Sequence, residues 1–284
     1  MPVDTTNPDK LVLTAGADSA EVYYFGATLT SWKVDGQERI FLSKDAILNG
    51  TKAIRGGIPL VFPHFGTVET SKLPQHGFAR NSRWELLPQS AGSDSETVVQ
   101  LSLKPAQVPE SLRSLWPNDF QLIYTVKLSA SNLTTTLDIK NTDSKEWEFT
   151  SLLHTYFRIQ DVAKVGVRDL TGRSFVDKVA KGARDQELRD VVTIASEVDR
   201  VYENVEKNEI HIVGTGLGKD VVVHKKNFPD VVVWNPWVEK AKGMADFGDE
   251  EYHNMICVEV GKVADFVKLA PGESWSGSQT LIVA

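Results

Sequence analysis

The sequence is poor in cysteine, with one residue, Cys257, among 284. A single cysteine excludes an intramolecular disulfide and any cysteine-rich metal site. Its apolar neighbours Met255, Ile256 and Val258 predict that this thiol is buried and unreactive. Long apolar runs are also missing, since none approaches the ~18 residues that a membrane-spanning helix needs. The polar N-terminal segment lacks the continuous apolar stretch of a signal peptide. We therefore expect a cytoplasmic protein without a membrane partner.

An excess of basic residues is absent as well. Lysine and arginine together number 31 against 38 acidic residues, which gives a formal net charge of -7. This balance argues against a nucleic-acid partner, whose phosphates require a basic surface. It does not argue against a small anionic ligand, because a few well-placed arginines can hold one phosphate group inside an acidic protein. The hydrophobic share of 41% excludes a largely disordered chain.

Short stretches of alternating apolar and polar residues dominate the chain, which is typical of strands with one face against a core. Helical patterning is scarce, and only residues 109–116 have the composition for a turn or two of helix. We therefore predict an all-β, antiparallel fold, because parallel strands need long crossover helices. No repeat and no linker divides the chain, which predicts one domain over residues 1–284. The clearest alternating rows are Leu122, Tyr124, Val126 and Leu128; Leu133, Thr135, Leu137 and Ile139; Trp147, Phe149 and Leu153; Ile210 and Ile212; and Val221 and Val223.

Motifs for a bound metal or nucleotide are missing. The chain has no P-loop, no histidine-rich zinc motif and no EF-hand loop. Residues 214–218 are glycine-rich, but they lie between two strand-like segments and open no helix, so we interpret them as a turn. Four histidines lack metal-binding spacing and are interpreted as structural or surface groups: His64, His211, His224 and His253. We predict no metal and no other cofactor.

Two glycine-bearing segments carry polar side chains that a plain strand does not need. In residues 55–63, Arg55 precedes paired glycines that let the backbone approach a ligand, and arginine supplies a forked donor. A tight turn with a solvated arginine explains this segment equally well. In the second segment, three polar residues surround a glycine, as a ligand with several hydroxyl groups or oxyanions requires: Gln75, His76 and Arg80. A lone histidine is more often structural than catalytic, so we assign His76 a supporting role.

Two further segments place an ionisable residue among apolar ones. His154 lies in the apolar and aromatic residues 151–159, where loss of hydration lowers the pKa of a histidine. A structural core histidine explains this position too. Glu259 lies in the apolar residues 255–261, where a carboxylate is costly to bury unless it is paired or functional. The alternative is an edge strand on which Glu259 faces solvent, opposite an alternating apolar row.

Together these segments resemble the aldose 1-epimerase (mutarotase) superfamily, and within it the hexose-6-phosphate mutarotases. The resemblance implies a galactose mutarotase-like fold, a large antiparallel β-sandwich with few short helices. It also implies an isomerase that interconverts the α and β anomers of glucose 6-phosphate or a related sugar phosphate, acting as a monomer without a cofactor. Five pieces that span most of the chain in the family's order carry it: residues 55–63, 73–81, 154–158, 232–237 and Glu259 in its Ile-Cys-Val-Glu setting.

The reaction that the resemblance implies needs one base and one acid. The base removes the proton of the anomeric hydroxyl while the acid protonates the ring oxygen. The ring then opens, the C1–C2 bond rotates, and closure reverses the proton transfers. By resemblance Glu259 is the base and His154 is the acid. We expect an arginine or a hydrogen bond to keep Glu259 ionised, and a nearby carboxylate to keep His154 protonated.

The match also implies which residues bind the sugar phosphate: Arg55, Gln75, Arg80 and Asp199, with His76 assisting. Both arginines have the forked geometry that suits a phosphate. Judged locally, Asp199 could equally be a solvated loop residue. Two alternatives stay open. A neutral-sugar mutarotase would leave the arginines without a role, and a non-catalytic carbohydrate-binding protein could have the same fold.

Overall fold

A computed structural model describes residues 2–88, 91–92 and 95–284. In this part of the chain the α-helices are short, namely α1 (Glu110–Arg113) and α2 (Trp237–Lys242), and 3-10 helices cover Ala79–Asn81, Pro105–Gln107 and Glu251–Asn254. The strands in chain order are β1 (Val3–Asp4), β2 (Lys10–Ala15), β3 (Asp18–Tyr23), β4 (Leu29–Val34), β5 (Gln37–Glu38), β6 (Leu60–Val61), β7 (Glu85–Leu86), β8 (Ala91–Gly92), β9 (Glu96–Leu103), β10 (Phe120–Ser129), β11 (Asn132–Asn141), β12 (Trp147–Leu153), β13 (Tyr156–Arg158), β14 (Gly166–Arg168), β15 (Ser174–Asp177), β16 (Ala183–Gln186), β17 (Val191–Thr193), β18 (Val198–Tyr202), β19 (Glu209–Val213), β20 (Val221–Lys226), β21 (Asp230–Asn235), β22 (Met255–Leu269) and β23 (Ser274–Val283).

The described strands form three antiparallel sheets. Strands β1 to β5 make a five-stranded sheet in chain order. A ten-stranded sheet has the order β17-β14-β19-β20-β23-β11-β10-β9-β7, with β8 also paired to β9. An eight-stranded sheet has the order β16-β15-β18-β21-β22-β12-β6, with β13 also paired to β22. In this last sheet β22 is an interior strand, with β21 on one side and β12 and β13 on the other.

The alternating rows predicted from the sequence are confirmed as strands with a buried face. In β10 and β11 every second residue is buried, and Leu122 pairs directly with Ile139 across the two strands. The predicted helical turn after Pro109 is α1, a single turn. Residues 214–218 form a bent loop between β19 and β20 and open no helix; the predicted turn is not assigned there. Local alternation therefore predicted these strands correctly, because side-chain direction in a strand has a period of two residues.

The ten-stranded and eight-stranded sheets pack face to face, and their facing side chains form the main core. In β22 the residues that point into this core are Ile256, Val258 and Val260. The residues between them point the opposite way, so Cys257 belongs to a second buried cluster on the outer face of the eight-stranded sheet. Because both faces are covered near its centre, this sheet contains unbroken apolar runs. The polar side chains within these apolar runs, such as Glu259, lie on the outer face of the sheet.

The five-stranded sheet packs on the ten-stranded sheet, mainly through β2 and β9. Its residues Leu11 and Val22 join the same core as Val283 near the other end of the chain. Within the described residues, no helix has the length and apolar character needed to cross a membrane. The single domain over residues 1–284, the monomeric state and the cytoplasmic location stay predictions.

Candidate active site

A cavity of about 280 Å³ opens over the outer face of the eight-stranded sheet. Loops before β6 and after it, the end of β12, and strands β18 and β22 contribute its walls. All the residues that the sequence predicted to act in catalysis or substrate binding line this one space: Arg55, Gln75, His76, Arg80, His154, Asp199 and Glu259. The fold thus brings together residues spread over some two hundred positions, while their chemical roles stay predictions.

Glu259 is only 1% exposed, although it lies on the outer face of its sheet. Val232 of β21 is its direct cross-strand partner, so β22 is not an edge strand here. The alternation in β22 was predicted correctly, but the alternative that it places Glu259 in solvent is wrong. The reason is that α2 and the segment after it, including Ala241 and Phe247, pack over the outer face.

His154 follows the last residue of β12 and is 8% exposed. Its ring stacks on that of Tyr156, with centroids 4.8 Å apart, and meets the ring of Trp234 at 6.0 Å in a T-shaped contact. Nδ1 of His154 lies 3.6 Å from Oε2 of Glu259. Neither of these two buried atoms has a hydrogen-bond partner among the described residues. Unsatisfied buried polar atoms are rare in folded proteins, and a catalytic role is one recognised reason for them.

The protonation of this pair differs from the expectation. Burial, together with the neighbouring carboxyl of Asp199, raises the pKa of Glu259 well above its usual value. Burial, together with the positive charges of Arg80 and Arg55, lowers the pKa of His154 well below its usual value. The ligand-free site therefore favours a protonated carboxyl and a neutral imidazole. A carboxyl group does lie beside His154 as expected, but loss of hydration outweighs it.

Two arginines border the cavity and are held differently. Nε of Arg55 lies 3.2 Å from Oδ1 of the buried Asp246, and its Nη1 donates to the hydroxyl of Tyr156 at 3.3 Å. Tyr156 and Asp246 raise the pKa of Arg55. Arg80 donates from Nη2 to the carbonyl oxygen of Gln75 at 2.9 Å, and its buried Nε has no partner among the described residues. Burial lowers the pKa of Arg80 to about 10, so both guanidinium groups are charged at neutral pH.

A second cavity, of about 190 Å³, adjoins the first and shares Arg55, Gln75 and Arg80 with it. Lys52 also lines this space, and its Nζ lies 2.7 Å from Oδ2 of Asp246. Three cationic side chains thus surround a small volume next to the histidine–glutamate pair. Such a volume suits a compact anion that accepts several hydrogen bonds.

The loop that carries His76 and Arg80 needs glycine at one position. Gly77 has a φ of +72°, and a Cβ there would lie 2.2 Å from the carbonyl oxygen of Phe62. Nδ1 of His76 accepts a hydrogen bond from the backbone N–H of Gly66 at 3.1 Å. Burial, followed by the charge of Arg80, lowers the pKa of His76. His76 is therefore a neutral group with its ring orientation set by the backbone, which suits binding better than proton transfer.

Asp199 projects from β18, where Trp234 is its direct cross-strand partner. It is therefore a strand residue in the cavity wall, and the alternative of a solvated loop aspartate is wrong. Burial raises the pKa of Asp199, while the nearby Lys178 opposes this shift. Burial also lowers the pKa of Lys178, whose Nζ lies 3.9 Å from the ring centroid of Phe65. A carboxyl and an ammonium group thus share one side of the cavity.

Sequence reasoning missed several lining residues. Trp234 falls in the segment 232–237 that carries the family resemblance, but it received no role. Lys178 and Lys240 received no role either; Lys178 follows the short strand β15 and Lys240 lies on the short helix α2. Their place in the wall depends on how β15 and α2 dock. The other missed residues are Phe65, Val232 and Met244.

The remaining histidines do not line this cavity: His64, His211, His224 and His253. His211, for example, places Nδ1 2.7 Å from Oδ2 of Asp169 on the ten-stranded sheet. In the described part of the chain, one buried group could supply three ligands to a metal ion, namely His154, Cys257 and Glu259. The absence of a metal or cofactor from the function stays a prediction.

Known proteins are similar in sequence to this chain over almost all of its length. A family model described as "Aldose 1-epimerase" matches residues 9–281. A protein from Cenchrus ciliaris, named "Putative glucose-6-phosphate 1-epimerase", is 41% identical over 278 residues that cover 95% of this chain and 83% of that protein. A protein of the same name from Escherichia coli strain K12 is 34% identical, over 91% of this chain and 85% of that protein.

Solved structures share its fold. The crystal structure of a "putative mutarotase" from Salmonella typhimurium has a TM-score of 0.88 and 29% identity, over 100% of this chain and 97% of that one. A "galactose mutarotase-like protein" from Clostridium acetobutylicum has a TM-score of 0.76 and 17% identity, over 97% and 95% of the two chains. The predicted galactose mutarotase-like β-sandwich is confirmed. With a family match from residue 9 to residue 281, this chain belongs to the aldose 1-epimerase family.

Proposed function

We propose that this protein is an isomerase that interconverts the α and β anomers of a hexose 6-phosphate, with glucose 6-phosphate as its substrate. The observation that carries the proposal is a buried histidine–carboxyl pair, His154 and Glu259, in one cavity with the charged Arg55 and Arg80. The pair supplies an acid and a base, and the arginines supply the counter-charge for a phosphate. The names of the relatives from Cenchrus ciliaris and Escherichia coli support glucose as the sugar.

Anomer exchange needs a proton removed from the hydroxyl on C1 and a proton delivered to the ring oxygen. Ionised Glu259 accepts the first, and protonated His154 donates the second. The bond between C1 and the ring oxygen breaks, C1 becomes an aldehyde, and rotation about C1–C2 presents its other face. On closure Glu259 returns its proton to the aldehyde oxygen, and His154 takes the proton of the C5 hydroxyl. Both oxygens are attached to C1, so an acid and a base 3.6 Å apart can reach them together.

A bound phosphate gives a physical reason for the pair to take up the reactive protonation state. In the ligand-free site, the proton that the pair holds resides on Glu259, because the pKa of Glu259 is raised and that of His154 is lowered. The charges of Arg80 and Arg55 lower the pKa of His154. A phosphate dianion bound by both arginines offsets these charges and so raises the pKa of His154, which favours a protonated imidazole. A neutral sugar does not have this effect.

The arginines favour a phosphorylated substrate over a neutral sugar. Arg80 hydrogen-bonds a backbone carbonyl group rather than a carboxylate, and a buried charge without a counter-ion is costly. A phosphate offers the forked acceptors that guanidinium groups bind best. The adjoining cavity beside Lys52 has room for such a group while the sugar ring stays near His154. A neutral sugar would leave Arg80 without an anionic partner, whereas Arg55 and Lys52 already contact Asp246.

The test is the rate of anomer exchange measured by exchange NMR on glucose 6-phosphate and on glucose. We expect the wild type to accelerate exchange of the phosphate ester far more than that of glucose. His154→Asn and Glu259→Gln should each slow exchange about 10²–10⁴-fold, the usual contribution of a general acid or base. His253→Asn is the matched control, because His253 and Glu250 are also 3.6 Å apart but lie exposed outside the cavity.

The outcomes separate the alternatives. If neither sugar exchanges faster with the wild type, the enzymatic proposal is wrong. Saturable binding of glucose 6-phosphate would then favour the non-catalytic carbohydrate-binding protein. If both sugars exchange equally fast and Arg80→Met changes neither rate, the phosphate part of the proposal is wrong and a neutral-sugar mutarotase is favoured.

A further inference from the structure

Cys257 is a buried nucleophilic group for which the proposed reaction has no use. It lies two residues before Glu259 on β22, so both side chains point to the outer face of the eight-stranded sheet. Its direct cross-strand partners are Tyr156 and Trp234, the two rings that contact His154. The thiol therefore lies beside the histidine–glutamate pair, on the same face of the sheet.

Three different ligand atoms converge at this point. A ring nitrogen of His154, Sγ of Cys257 and a carboxylate oxygen of Glu259 lie within 4.8 Å of one another. Nδ1 of His154 and Oε2 of Glu259 are 3.6 Å apart. Two ligands of a tetrahedral zinc ion lie about 3.4 Å apart, given metal–ligand bonds of about 2.0–2.3 Å. The present separations of up to 4.8 Å are wider than this, so binding of one ion requires the three side chains to draw closer together.

The donor set suits a thiophilic cation. Thiolate, imidazole and carboxylate are the ligands that Zn²⁺ takes in proteins, and soft thiolate favours such metals over Mg²⁺ or Ca²⁺. The facing atoms of His154 and Glu259 are buried and have no hydrogen-bond partner among the described residues, so an ion would satisfy both. On binding, the thiol of Cys257 and the pair release their protons to solvent. The two ligand charges neutralise the ion, so nearby Arg80 and Lys178 face an uncharged complex.

We propose that His154, Cys257 and Glu259 form an inhibitory binding site for a thiophilic divalent cation, Zn²⁺ or Cd²⁺, on the floor of the sugar-phosphate cavity. The cation occupies the acid and the base of the proposed reaction, so it excludes anomer exchange while it is bound. Three protein ligands leave the fourth position to water. The inhibition rests on the proposed function, whereas the binding itself does not.

A titration with Cd²⁺ tests the binding directly. We expect one Cd²⁺ per chain by equilibrium dialysis, together with the ultraviolet charge-transfer band of a cadmium thiolate. Because the chain has a single cysteine, this band can arise only from Cys257. Cys257→Ser should abolish the band and weaken binding by at least the ~10–100-fold that loss of an outer-shell partner costs. Cys257→Ala serves as a second variant should a buried serine hydroxyl destabilise the fold, and His253→Ala is the control that keeps both signals.

Anomer exchange tests the inhibition. Cd²⁺ should inhibit the wild type in competition with glucose 6-phosphate, and a chelator should restore the rate. The Cys257 variants should keep the basal rate and lose the sensitivity to Cd²⁺. A wild type that shows no thiolate band at saturating Cd²⁺, or Cys257 variants that bind and respond like the wild type, would overturn the proposal. A band that depends on Cys257 in a protein without exchange activity would instead support the site and contradict the proposed function.

Discussion

Nδ1 of His154 and Oε2 of Glu259 face each other across 3.6 Å on the floor of the cavity. Their surroundings move the two pKa values in opposite directions, upward for the carboxyl and downward for the imidazole. A pair of this kind titrates as a unit and holds one proton over a wide range of pH. The position of that proton depends on the charges around it, above all on whether Arg55 and Arg80 face an anion.

Binding of an unreactive substrate analogue should protonate His154. A hexitol 6-phosphate with a closed ring and no hydroxyl on C1 keeps the phosphate and cannot open. We expect its binding to shift the imidazole ¹⁵N signals of His154 to those of the protonated ring, and the unphosphorylated hexitol to leave them unchanged. The signals of His253, outside the cavity, are the internal control. A neutral His154 in the phosphate complex would contradict substrate-driven proton transfer.

Removal of the Lys178 charge should move the pH dependence of catalysis to higher pH. The singly protonated pair is active, so activity is lost on the acid side as His154 and Glu259 both become protonated, and on the basic side as the pair loses its last proton. Lys178 lowers the pKa of both groups. In Lys178→Met both limbs of the profile of kcat/KM against pH should therefore shift upward. Lys181→Met, an exposed lysine in the same turn, should leave both limbs in place; a downward shift in Lys178→Met would contradict the model of the pair.

Glu259→Gln should remove activity and change how stability depends on pH. The folded-state pKa of Glu259 lies above its unfolded value of 4.5, so between these values the folded protein binds more protons than the unfolded chain. Wild-type stability from this group is therefore lost as the pH rises above 4.5, and glutamine carries no such loss. The difference in Tm should grow in favour of the variant with rising pH. A difference that stays constant across the pH range would show that the carboxyl is not destabilised by burial.

Loss of Arg80 should slow exchange of the phosphate ester more than exchange of glucose. A hydrogen bond to a charged group contributes about 1.5–3 kcal/mol, so Arg80→Met should lower kcat/KM for glucose 6-phosphate about 10–100-fold. Any slow exchange of glucose should change less, because glucose has no phosphate contact to lose and only the effect of Arg80 on the pKa values of His154 and Glu259 is removed. Arg83→Met is the matched control, because Arg83 is close in sequence but 56% exposed and lies 3.5 Å from Asp9. Equal losses for both sugars would instead indicate a general disturbance of the cavity.

Gly77→Ala should destabilise the protein through the loop that carries His76 and Arg80. The added methyl group meets a backbone oxygen at 2.2 Å and the residue keeps a positive φ, so we expect a cost of about 2 kcal/mol or more in urea unfolding. Gly16→Ala is the control, since Gly16 also has a positive φ but no atom within 4 Å of the new methyl group. It should cost about 1 kcal/mol. Similar costs at both positions would show that backbone strain, not close contact, explains the effect.

Local pattern was sufficient for the fold class and for many strands. The row from Leu122 to Leu128 is buried at every second position. This pattern can be predicted from the sequence because apolar and polar residues alternate along the strand itself. The same is true of the glycine-bearing segments, whose composition marked Arg55, Gln75 and Arg80 as unusual. The family resemblance then supplied the roles assigned to them, and the fold places them in one cavity.

The surroundings of each site residue could not be read in this way. Whether Glu259 faces solvent depends on which strands flank β22 and on α2, which comes from a different part of the chain. Cys257 reaches the site through the pairing of β22 with its neighbours, and Lys178 through the turn after β15; neither position shows this in the local sequence.

The amino-acid pattern alone thus specified an antiparallel β protein and the chemically unusual residues within it. Burial, and the opposite pKa shifts of Glu259 and His154 that follow from it, came from the packing of distant segments over one face of a sheet. The physical reason is the distance along the chain over which each effect acts. Side-chain alternation acts between neighbours in the chain, whereas loss of hydration and the charge felt by a group depend on everything folded around it.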